Sequence, residues 1–194
     1  MTAMIIRSRH LTVPLAVGLW QLAAAAPEIR NEALLVDSSP GYKIGFQAQQ
    51  QDRSRITEMV PTGETVESWT EMVTVQTFPG LTATPEQFES HLVEDWRGAC
   101  PKSDYQRIAQ GTESGYAFVL WLLSCPLNKV SGKPEITWFK AIRGNDSLYV
   151  VQKAFRFAPS KEQIVTWMAF LKDAKVCDTR LPDRPCPDVT PVEH

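Results

Sequence analysis

Apolar and polar positions along this chain repeat with two different periods, and the change of period separates strands from helices. Tyr42, Ile44 and Phe46 point one way and Lys43, Gly45 and Gln47 the other, which is a strand pattern. Gln49-Gln50-Gln51-Asp52 forms a polar turn, and Arg53 to Val60 reads as the second strand of a hairpin. Pro61-Thr62-Gly63-Glu64 breaks that run. A third strand is expected from about Glu67 to Phe78, with Trp69, Glu71, Val73 and Val75 on one face. Thr70, Met72, Thr74, Gln76 and Phe78 take the other face, and Pro79-Gly80 ends the strand.

The period then becomes helical. Thr84 is the expected N-cap, Pro85 fits the first helical position, and Gln87 completes a capping box. Phe88, Leu92 and Trp96 make one apolar stripe, and Gly98 is a stop signal. Tyr105 to Gln110 reads as a strand. Tyr116 to Cys125 is apolar at nearly every position, as in a strand buried on both faces, so it is expected at the centre of the sheet. Ile136 to Ile142 and Ser147 to Phe157 form a hairpin around Arg143-Gly144-Asn145-Asp146. Ser160 and Gln163 repeat the capping box ahead of an apolar face made by Ile164, Trp167, Met168 and Leu171. Lys172 and Lys175 near the end of this helix complement its dipole. The order β-β-β-α-β-β-β-β-α predicts an α+β fold with a largely antiparallel sheet and two main helices. The two helices are expected on one sheet face, with the N-terminal hairpin or a second layer over the other.

The N-terminus has a different pattern. Arg7 and Arg9 precede an apolar run from Leu11 to Leu22, then four alanines and Pro27. This is a secretory signal peptide, with cleavage expected between Ala25 and Ala26. The run is too short to span a bilayer, which takes about 20 apolar residues, and no later segment supplies a membrane span. The chain divides into a signal peptide over 1–25, a single α+β domain over 26–176, and a proline-rich tail over 177–194 that carries a disulfide loop. Export places the mature protein across the inner membrane, in the periplasm. Loss of Arg7 and Arg9 leaves 18 basic against 22 acidic side chains, a net charge of −4. That balance lacks the basic footprint of a nucleic-acid partner.

Export also decides how the cysteines are read. Cys100, Cys125, Cys177 and Cys186 allow three pairings, and proximity favours Cys100–Cys125 with Cys177–Cys186. No close-spaced C-x-x-C pair supports a metal site or thiol redox chemistry.

The stretch Val60-Pro61-Thr62-Gly63-Glu64-Thr65, leading into Trp69-Thr70-Glu71-Met72-Val73-Thr74-Val75, resembles the segment before the first long helix in small secreted bacterial proteins of unassigned function. The element order over residues 40–175 is similar to the Mog1/PsbP-like α/β/α sandwich. That resemblance implies a fold that hosts several unrelated binding roles, with no invariant catalytic set to carry over. The fold does not depend on cysteines, so the two staples are a departure from it.

Candidate chemistry is sparse. His91 is the one histidine between the leader and the last residue; with Asp95 at i, i+4 it has the spacing of a catalytic dyad. The plainer reading is a helical histidine at the edge of the apolar stripe, and no G-x-S-x-G elbow supplies a nucleophile. Glu86, Glu89, Glu94 and Asp95 read as a solvated helix face. Glu71 shares its expected face with apolar residues and needs a cation, from Arg143, Lys153 or Arg156. Trp69, Glu71, Trp138 and Tyr149 are the candidates for a ligand or partner surface. No cofactor motif is present. The expected role is non-enzymatic protein binding, as an envelope factor or a toxin-neutralising inhibitor. The alternatives are a small apolar ligand or lipid-binding module and, behind that, a hydrolase using His91.

Overall fold

The structure is a computed structural model that describes residues 31–37 and 39–187, so the expected signal peptide lies outside the described residues. The chain runs through β1 (Glu32–Leu35), β2 (Tyr42–Gln49), β3 (Arg55–Pro61), β4 (Glu71–Pro79) and α1 (Pro85–Ala99). It continues through β5 (Asp104–Glu113), β6 (Tyr116–Cys125), β7 (Glu135–Arg143), β8 (Ser147–Phe155), α2 (Lys161–Asp173) and β9 (Lys175–Asp178). Seven strands form one antiparallel sheet in the order β2-β3-β4-β8-β7-β6-β5, and β1 pairs with β9 in a separate ribbon. The α+β class, the two helices and the largely antiparallel sheet are therefore present in the expected order, flanked by two short strands that pair with each other. β9 runs across the boundary expected at 177 and carries Cys177 and Asp178.

Both helices start as their sequences dictate. Gln87 N–H donates to Thr84 Oγ1 at 3.2 Å, and Thr84 N–H donates to Gln87 Oε1 at 2.9 Å. Ser160 and Gln163 make the same reciprocal pair at 3.2 and 2.9 Å. Each box satisfies two amides that the first helical turn leaves unpaired. Gly98 does not end α1, which continues to a C-cap at Cys100. A disulfide ties Cys100 to Cys125 at the end of β6, and a second joins Cys177 to Cys186. By chain entropy the longer loop is worth about 3.5 kcal/mol and the shorter about 2.6 kcal/mol.

The helices lie on opposite sheet faces, not together on one. α1 packs Phe88, Leu92 and Trp96 onto Trp121, Phe139, Leu148 and Val150. α2 packs Ile164, Trp167 and Leu171 onto the alternate residues Leu120, Trp138, Val151 and Phe155. An amphipathic pattern shows that a helix has a buried side, but not which sheet face receives it. Cover on both faces makes β6 apolar throughout, and that is why it looked central. The middle of the sheet is β8, and β6 lies next to the edge strand β5.

Two further expectations change. β4 begins at Glu71, so Trp69 precedes the strand and packs with Val60, Met72 and Ala154 on the α1 face, away from Glu71. A bulge at Gly45 separates Ile44, opposite Met59, from Phe46, opposite Glu58. The extra residue turns Phe46 to the α1 face. Gly45 is required there, because a Cβ would lie 2.7 Å from Val66 Cγ1.

The α2 face holds two buried lysines. Lys140 Nζ donates to Glu113 at 2.6 Å and to the Lys172 and Ala174 carbonyls at 3.0 and 2.6 Å, which closes the C-terminal end of α2. Lys153 is wholly buried; its Nζ lies 2.7 Å from Glu71 Oε2 and 3.8 Å from the Trp167 ring centre. It also donates to Tyr42 Oη at 2.5 Å, and that hydroxyl donates to Glu71 at 2.6 Å. Four elements, β2, β4, β8 and α2, thus meet at one ammonium. Removing one partner of such a pair strands the other. Glu71→Ala is therefore expected to lower urea-unfolding stability by about 3 kcal/mol. Glu71→Leu with Lys153→Met is expected to recover most of that loss. Equal destabilisation in both variants would show that the pair is not what joins these elements.

Candidate functional site

α1 is seated over β6, β7 and β8, with the Trp96 ring edge-on to Phe139 at 5.9 Å. Beyond Phe78, which packs on Phe88, it leaves the same face of β3 and β4 uncovered. The β3–β4 loop folds over the far side of this gap. Glu64 pins the loop by accepting the Thr70 amide at 2.6 Å and the Thr70 hydroxyl at 2.5 Å. Val66 and Trp69 thereby come to face Trp96 across a cleft of about 350 Å3.

The cleft floor is polar where a packed sheet face would be apolar. Thr74, Gln76, Gln152 and Thr137 come from neighbouring strands, with Glu58 and Glu135 among the lining residues. Gln152 Nε2 donates to Gln76 Oε1 at 2.7 Å. Thr137 is 2% exposed, and neither its hydroxyl nor the Trp96 indole N–H has a hydrogen-bond partner.

Burial acts on both carboxylates. Burial pushes the Glu135 carboxyl above the usual range; the Arg156 charge and a 2.9 Å bond from Asn128 Nδ2 oppose this without cancelling it. Burial pushes Glu58 up as well. Arg156 stacks its guanidinium on the Trp69 ring at 3.7 Å, beside the cleft.

The Thr137 hydroxyl has no base within hydrogen-bond reach, so it is not poised as a nucleophile. No cluster of three metal-ligating side chains occurs among the described residues. A larger cleft of about 670 Å3 lies between Leu34–Asp37 and the end of α2. Its lining Glu113 is already paired with Lys140.

The four residues singled out from the sequence do not share a surface. Trp69 walls the cleft. Glu71 lies on the opposite sheet face, bound to Lys153, one of the three cations foreseen for it. Trp138 is core, edge-on to Phe155 at 5.9 Å. Tyr149 is buried with Tyr116, Ile142 and Val176. His91 is exposed, and among the described residues no hydrogen bond links it to Asp95 or to a nucleophile. Glu89 is not part of a solvated face: it is 1% exposed and takes a bidentate pair from Arg107 and a 2.7 Å bond from Tyr105 Oη. Its spacing of four from both Pro85 and Val93 was the overlooked signal. Glu58, Trp96, Glu135 and Thr137 were missed as site residues because three separate elements, β3, α1 and β7, bring them to one cleft.

No protein-family model matches the chain, and no curated protein does. Among solved structures it is similar to the Ran-binding protein Mog1p of Saccharomyces cerevisiae, at 12% identity and a TM-score of 0.43, covering 73% of this chain and 85% of that one. It is similar to a mutant of protein Mog1 at 14% identity and a TM-score of 0.43, covering 71% and 79%. It is also similar to cyanobacterial PsbP from Synechocystis sp. PCC 6803, at 10% identity and a TM-score of 0.40, covering 77% and 92%.

The raised carboxyls have a consequence for stability. A group whose folded pKa lies above its unfolded value binds more protons when native, so its contribution is lost as pH rises through the folded value. At neutral pH the ionised Glu135 is therefore a net cost. Glu135→Gln is expected to raise the urea midpoint at pH 7.5 and to lose that advantage near pH 4. A lower midpoint at pH 7.5 would mean that the carboxylate is a structural partner of Asn128 and Arg156.

Proposed function

We propose that this protein is a non-enzymatic binding domain that works outside the cytosol and engages another protein through the cleft between α1 and the β3–β4 loop. The observation that supports this reading is the cleft itself, about 350 Å3, floored by Thr74, Gln76, Thr137 and Gln152 on a sheet face that is apolar beneath α1. Two disulfides suit an oxidising compartment. The arginine, apolar and alanine pattern ahead of Pro27 supports export to the periplasm. No helix among the described residues is long and apolar enough to cross a membrane.

The surroundings of the cleft favour a protein over a lipid. An apolar ligand would cover Thr74, Gln76, Thr137 and Gln152 without pairing them. Phe46, 44% exposed on the same sheet face, extends an apolar shoulder beyond the cleft. A rigid, stapled domain of this kind suits an envelope factor or an inhibitor of a delivered toxin. With His91 exposed and unlinked to a nucleophile, the hydrolase reading has no assembled site.

Benzoylphenylalanine placed at Phe46 keeps an aromatic ring beside the cleft and makes it photoreactive. Irradiation in envelope extract is expected to yield a discrete adduct that is absent when the probe sits at the exposed Val165 of α2. Filling the cleft by Thr74→Trp is expected to abolish it. No adduct, or equal adducts at both positions, would contradict the proposal.

A further inference from the structure

The β6–β7 loop holds the most exposed large apolar side chain among the described residues. Val130 at its apex is 96% exposed, and Leu127 at its foot is 60% exposed. A lone surface valine is ordinary; the scaffold beneath this one is not. Asn128 Oδ1 accepts the amides of Val130 at 2.9 Å and Ser131 at 3.4 Å, and the Asn128 carbonyl accepts Gly132 N–H at 2.8 Å. Ser131 Oγ accepts Lys133 N–H at 3.3 Å, and Asn128 N–H donates to the Lys133 carbonyl at 2.8 Å. Asn128 Nδ2 ties the loop to Glu135 at 2.9 Å. The loop therefore satisfies the amides of its own apex while it holds an apolar side chain out from the fold.

We infer that this loop rests on an anionic lipid surface, with Val130 entering the headgroup region and the lysines around it meeting lipid phosphates. Lys129 and Lys133 flank Val130, and no acid lies between Cys125 and Glu135. The Cys100–Cys125 disulfide joins the foot of the loop to the turn that carries Lys102. That turn is closed by Ser103 N–H on the Cys100 carbonyl at 2.9 Å. All three lysines are exposed, and among the described residues none has a salt-bridge partner. Glu64 is near enough to Lys133 to feel its charge, so Lys102 and Lys129 are the freer cations. The mature chain is expected at −4, so the attraction is local to this end and short-ranged. A protein docking site buries about 800 Å2 per partner, far more than two apolar side chains at a loop tip supply. A lipid surface needs no matching shape, and each basic residue close to it adds to the attraction. An apex whose amides are already bonded also enters the interface without stranding them. The attachment is independent of the cleft and of the protein bound there.

The test is flotation of the mature protein with lipid vesicles at low ionic strength. Phosphatidylglycerol vesicles are expected to carry the protein, and phosphatidylcholine vesicles to bind it at least about tenfold more weakly. Salt at about 1 M shortens the Debye length to about 3 Å and is expected to release it. Lys129→Gln is expected to weaken binding about fivefold, and Val130→Asp at least about tenfold. Val165→Asp, the same change at an exposed valine of α2, is expected to leave binding unaltered. Because Val130 is so exposed, Val130→Asp is expected to keep the parental urea midpoint, so unfolding would not explain its loss of binding. Equal binding to both lipids, binding unchanged by Val130→Asp, or an equal loss in Val165→Asp overturns the inference. Failure of phosphatidylglycerol vesicles to carry the protein overturns it too. If the vesicles fail while benzoylphenylalanine at Val130 captures a protein from envelope extract, the loop belongs to a protein interface instead. An adduct at Phe46 without vesicle binding would leave the cleft reading standing and remove this one alone.

Discussion

One helix on each face is too narrow for the sheet it covers. Seven strands at about 4.8 Å spacing place the outer strands about 29 Å apart. A helix with its side chains is only about 10–12 Å across, enough for two or three strands. Neither the fifteen residues of α1 nor the thirteen of α2 can close a face alone. How each face deals with the uncovered remainder determines the rest of the molecule.

The α2 face is closed by additional parts. The β1–β9 ribbon lies over one part of the sheet, where Val176 joins Tyr116, Ile142 and Tyr149. The Glu32 carboxylate accepts from the amides of Asn145, Asp146 and Ser147, which locks the ribbon to the β7–β8 turn. Gly144 is needed in that turn, since a Cβ would collide with the Glu32 carboxylate. The remaining space is filled by Lys140, with three hydrogen bonds, and by Lys153, held by Glu71, Tyr42 and the Trp167 ring. On the α1 face only the β3–β4 loop is available, and it stops short of α1. There the sheet keeps polar side chains, and burial raises the carboxyls of Glu58 and Glu135.

What the sequence disclosed follows the range of the interaction involved. The capping boxes at Thr84 and Ser160, the turn at Gly144 and the disulfide at Cys177 depend on near neighbours and were legible as written. Glu71 was recognised as a carboxylate in need of a cation, because alternation along one strand sufficed. Gly45 shows where alternation fails: one bulged residue sends Phe46 to the opposite face from Ile44, and nothing in the local pattern marks the slip. β1 and β9 were invisible because each is four residues long and pairs only with the other. The cleft was hardest of all. Thr137 looks like an ordinary strand threonine and Trp96 like an ordinary core tryptophan. Only the position of α1 over β6–β8 makes them neighbours with unspent donors.

Carboxylates with a full set of partners and carboxylates that burial leaves under-compensated play different parts in this fold. Glu71 and Glu89 have partners and hold elements together, while Glu58 and Glu135 lack full compensation and cost stability. Diffraction from crystals of the mature protein would test this most directly. The expected density leaves the cleft between α1 and the β3–β4 loop open, with Glu71 bound to Lys153 on the opposite face. A cleft closed by its own side chains would contradict it.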